Sequence, residues 1–105
     1  MGWADLTVAA LHRGEKVSIR PSGNSMLPTL KSGVKVFLEP TIGTKLEVGD
    51  IVLVKVRGNV YLHFIQAFRG SGDTLQVQIG NAAGHSNGWA SRAAVYGKAV
   101  RWENP

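Results

Sequence analysis

The residues best placed to do chemistry lie in the stretch Gly23-Asn24-Ser25-Met26-Leu27-Pro28-Thr29-Leu30. Glycine before the serine and Met-x-Pro after it place Ser25 in a short turn. A serine hydroxyl is a weak nucleophile at neutral pH. It needs a base within hydrogen-bond reach and backbone N–H groups to hold a developing oxyanion. The chain has three histidines as candidate bases and no cysteine. His63 stands in Tyr61-Leu62-His63-Phe64-Ile65, flanked by large apolar residues that would keep its imidazole neutral, the form a base requires. A core histidine bonded to backbone is the competing reading. His12 falls near the end of a helical segment, where the helix dipole favours it and a structural role is expected. His85 sits in a Gly/Asn-rich loop. These spacings build no metal site, so neither a metal nor a cofactor is expected.

Positioning a serine and a histidine so far apart in sequence requires a stable scaffold. At 105 residues, with 44% hydrophobic and 18% charged residues, the chain suits one globular domain, 1–105, with one modest core. Trp3 to Arg13 has helical spacing of apolar residues, with Gly14 at its end, giving an N-terminal helical segment over 1–14. Residues 17–102 then read as β-structure. Strands are expected at Lys16–Arg20, Val34–Leu38, Ile51–Val56, Val60–Phe68, Thr74–Ile79 and Val95–Trp102. A hairpin with Gly58-Asn59 at its tip should join the third and fourth, and Gly80 to Gly88 reads as loop. Along the fourth strand, alternation places Tyr61, His63 and Ile65 on one face and Leu62, Phe64 and Phe68 on the other. The class is mainly β, a folded, barrel-like sheet with one short N-terminal helix.

The net charge is +5, from 12 basic and 7 acidic residues spread along the chain. That pattern fits a solvated surface better than a nucleic-acid patch. No apolar run approaches the ~18 residues of a membrane span, and no leader pattern opens the chain, so a cytoplasmic protein is expected.

The ordered motifs resemble a known family. Gly23-x-Ser25-Met26-x-Pro28 followed by Gly33 is similar to the nucleophile segment of the serine peptidases that unite signal peptidase I with the LexA-like self-cleaving repressors. Gly49-Asp50-Ile51-Val52-Leu53-Val54 resembles their Gly-Asp-hydrophobic strand. Tyr61-Leu62-His63-Phe64-Ile65 falls where the base lies, histidine in the archaeal and endoplasmic-reticulum signal peptidases and lysine in others. Gly80-Asn81 and Gly97-Lys98-Ala99-Val100 resemble the later segments. The stretch from Gln78 to Trp89 resembles that of small peptidase-like proteins of tailed phages and prophages, which would place the protein in a host cytoplasm.

The resemblance implies a soluble endopeptidase acting on a protein substrate or on itself, with Ser25 as nucleophile and His63 as general base. Ser25 and Gly23 would form the oxyanion hole, and Met26 and Pro28 would contact substrate. Asn81 and Asn87 stand where histidine-type relatives have aspartates. Either could orient the imidazole through its carbonyl but could not stabilise imidazolium by charge, so slow catalysis is expected. The alternative is a catalytically silent module that keeps the fold and binds a protein partner. A homodimer, as in LexA-like proteins, is left open.

Overall fold

The computed structural model describes residues 4–21, 23 and 25–105. Trp3, expected to open the helix, and Asn24 of the serine turn lie outside them.

The helix α1 spans Asp5–His12. Gly14, at φ 82°, ends it. Gly14 N–H donates to Leu11 C=O and Glu15 N–H to Ala10 C=O, the paired bonds of a left-handed C-terminal cap. Seven strands follow: β1 Val17–Ile19, β2 Lys35–Pro40, β3 Ile51–Val56, β4 Asn59–Arg69, β5 Gln76–Gly80, β6 Ser86–Ser91 and β7 Val95–Glu103. They form one antiparallel sheet in the order β1-β2-β7-β3-β4-β5-β6. The sheet folds until β3 approaches β6 but does not close, so the expected barrel-like form is a folded sheet with β1 and β6 as edges.

Strand β3 explains the fold's two cores. Ile51 and Leu53 pack into one apolar cluster with Leu11, Met26, Leu30 and Val36. Val52, Val54 and Val56 pack into the other with Ile65, Val77 and Ile79. A strand covered on both faces needs a nearly continuous apolar run, which Ile51-Val52-Leu53-Val54 supplies. Helix α1 lies over β7 at Gly97, where any side chain would collide with Leu11.

Three local expectations change. The β3–β4 hairpin turns on Arg57-Gly58, one residue earlier than expected, with φ of 50° and 84°. Two positive φ values in a two-residue loop match the right-handed twist of the flanking strands. In β4, Gln66 is an extra residue, because Ile65 faces Ile79 and Ala67 faces Gln78. This bulge shifts the alternation by one, and Phe68 joins Tyr61 and Ile65 instead of Leu62 and Phe64. The segment read as loop, 80–88, ends in strand β6, which pairs with β5.

Candidate active site

The turn after β1 carries Ser25 at the surface. It is anchored by Met26, buried in the first core cluster, and closed by Leu30 N–H donating to Met26 C=O at 2.9 Å. The Leu27–Pro28 peptide is cis. Ser25 C=O accepts the N–H of Ala82 at 3.1 Å, which ties the turn to the β5–β6 loop.

His63 lies in β4 and is only 7% exposed. Its Nε2 is 3.0 Å from Ser25 Oγ. Its Nδ1 is 2.6 Å from Asn87 Oδ1. An amide oxygen can only accept, so Nδ1 carries the proton and Nε2 presents its lone pair to the serine hydroxyl. That is the tautomer a general base needs. The Tyr61 ring stacks on the imidazole, with centroids 5.1 Å apart. Burial holds the His63 pKa below its usual 6.5, and the hydrogen bond to Asn87 opposes this as the smaller influence. The imidazole is therefore neutral at physiological pH.

A bulge delivers Asn87 to His63. Across β5–β6, Ile79 faces Gly88 and Gly80 faces Ser86, leaving Asn87 with no residue opposite. Such an extra residue bends the strand and re-aims its side chain. Asn81 does not reach the histidine. Its Oδ1 accepts the N–H groups of Ala83 at 3.0 Å and His85 at 2.9 Å. It thus shapes the loop whose Ala82 holds the Ser25 turn, because a short amide side chain readily folds back on its own backbone.

The chain belongs to the peptidase S24-like family. Its family model matches residues 3–98, nearly the whole chain. No curated protein matches. In this S24-like domain the sequence-expected Ser25, His63 and Asn87 come together. Gly23 N–H donates to Ser32 Oγ at 3.4 Å, and Gly23 lines the same cleft as Ser25 and His63. Gly23 also supplies the left-handed bend, φ 110°, that lets the chain enter the turn. Pro28 is exposed and absent from the cleft wall, whereas Met26 lines it.

That cleft, of about 680 Å³, opens at Ser25 and His63. Its apolar wall includes Ile19, Met26, Leu30, Val34, Val60 and Leu62, and Arg20 and Lys31 also line it. Two strand segments border it with ladder partners on one side only. One is β1, paired with β2 alone. The other is the first half of β4, since β5 joins that strand only from Phe64 onward. Of the apolar cleft wall, sequence reasoning named Met26 alone, and it did not name Tyr61 as a site residue. The signal for Tyr61 was its period-two relation to His63. Among the described residues no helix is long and apolar enough to cross a membrane, and no three His, Asp or Glu side chains gather where they could hold a metal ion.

Proposed function

We propose that this domain is a serine endopeptidase with a Ser25–His63–Asn87 triad. The carrying observation is the hydrogen-bonded line from Ser25 Oγ through His63 to Asn87 Oδ1, 3.0 and 2.6 Å. An extended substrate segment adds as a strand along the open edge of β1 or β4, with an apolar side chain in the cleft. Ser25 Oγ attacks the scissile carbonyl carbon while His63 Nε2 takes the hydroxyl proton. The Ser25 N–H donates to the oxyanion. His63 then protonates the leaving amine, and water, activated by the same nitrogen, hydrolyses the acyl ester on Ser25. Asn87 holds the ring in its working tautomer throughout.

A fluorophosphonate probe tests the reading. Ser25 should be labelled, and Ser25→Ala and His63→Ala should abolish labelling or slow it greatly. A folded protein that stays unlabelled from mildly acidic to mildly alkaline pH overturns it. The neutral Asn87 favours one second reading, a silent module that binds a peptide in the cleft without cleaving it. That reading requires Ser25→Ala to retain the biological effect in full.

A further inference from the structure

Asn87 is followed by Gly88, and this is the one Asn-Gly pair in the chain. In such a pair the backbone nitrogen of the glycine can attack the side-chain amide carbon before it. No side chain on the glycine obstructs the five-membered ring that forms. The surroundings favour the attack here. Asn87 is the bulge residue of β6, so its backbone has no residue opposite to fix it. His63 Nδ1–H donates to Asn87 Oδ1 at 2.6 Å and polarises the amide carbonyl. Ser86 Oγ accepts the Gly88 N–H at 3.2 Å. Asn87 is half-buried and Ser86 exposed, so water has access.

We propose that Asn87 is a spontaneous deamidation site that converts the neutral triad into a Ser–His–carboxylate triad. The proposal rests on the peptidase reading above. Gly88 N bonds to Asn87 Cγ, the Cγ–Nδ2 bond breaks, and ammonia leaves with the proton lost from the Gly88 amide. Water then opens the succinimide. Cleavage of the Cγ–N bond restores the normal backbone with an aspartyl side chain. Cleavage of the bond between the main-chain carbonyl carbon and Gly88 N gives the isoaspartyl chain. Nothing is oxidised or reduced, and water is the only co-reactant. The aspartyl product keeps the bulge and places a carboxylate oxygen on His63 Nδ1. The isoaspartyl product lengthens the main chain by one atom and withdraws the acceptor. The site would thus start slow and speed up with age, in proportion to its aspartyl fraction.

The test follows one sample of purified protein at mildly alkaline pH by peptide mass mapping and by the rate of fluorophosphonate labelling at Ser25. Residue 87 should convert before Asn24, Asn59, Asn81 and Asn104. Labelling should climb with the aspartyl fraction towards the rate of Asn87→Asp, about tenfold above that of fresh protein, as expected when a neutral acceptor becomes charged. Asn87→Gln, whose longer side chain closes the ring poorly, should show no climb. Retention of the amide at residue 87 while other asparagines convert overturns the proposal. So does conversion that leaves labelling flat although Asn87→Asp labels fast. If neither fresh protein nor Asn87→Asp takes the probe, the peptidase reading fails and the switch falls with it, even where mass mapping shows residue 87 converted.

Discussion

Replacing Asn87 by aspartate exchanges its Nδ2 amide for a second oxygen and makes the acceptor of a 2.6 Å hydrogen bond anionic, and its effect can be worked out. A neutral hydrogen bond contributes about 0.5–1.5 kcal/mol and one to a charged group about 1.5–3 kcal/mol. The pairing strengthens further when the ring becomes imidazolium, the state reached as Ser25 loses its proton; a further gain of about 1–1.5 kcal/mol there lowers the barrier and raises kcat about tenfold. Two unit charges about 4 Å apart at an effective dielectric near 20 interact by about 4 kcal/mol, so the ceiling is roughly a thousandfold. The same free energy must raise the His63 pKa above its native value. In the native protein burial holds that pKa below 6.5, so the acid limb of labelling is expected below 6.5 as well. In Asn87→Asp the limb moves to higher pH while the plateau rises. Labelling rates or fluorogenic-peptide turnover across the pH range measure both. A folded variant whose plateau and limb both stay in place would refute the assignment of Asn87 as the residue that faces the imidazolium.

Asn81→Ala removes the acceptor of two loop N–H groups and should cost about 1–2 kcal/mol in chemical denaturation. It should also slow labelling with the acid limb unmoved, because this loop acts on the Ser25 turn and not on His63. Gly97→Ala forces its new methyl against buried Leu11 and should destabilise by about 1–3 kcal/mol. Adding Leu11→Ala should then cost less than it does in the native background, as a double-mutant cycle would show. His63 is protonated less readily folded than unfolded, so the unfolded chain takes up more protons as the pH falls below 6.5. Its contribution to stability is full above 6.5 and is lost as pH falls towards the folded-state pKa. Urea midpoints against pH should show this slope, flattened in His63→Gln.

Strand β3 was legible because burial on both faces demands a long β-branched run, and the chain has one such run. The nucleophile was legible because its turn needs glycine, serine and proline at fixed spacing. Strand β6 was not. Ser86-Asn87-Gly88 has poor strand propensity, and pairing with β5 overrides it. For the same reason Asn81 and Asn87 looked equivalent in sequence. A bulge aims one at the imidazole and leaves the other to fold a loop, and bulges leave little trace in composition. Gly23 was read as a donor because the resemblance placed it beside the nucleophile, and the bond of its N–H to Ser32 Oγ left no trace in the sequence.

The three members of the site come from the β1–β2 connection, from β4 and from β6. Ser25 and His63 are 38 residues apart and His63 and Asn87 are 24 apart. No local segment holds any two of them, so the site is assembled only when distant strands have paired. Contacts of such long range form late, after loop closure has been offset by the pairing of several strands. Recovery of labelling on refolding is therefore a clock for completion of the whole sheet. On the peptidase reading, a chain growing from the ribosome would acquire its triad only once β6 has docked.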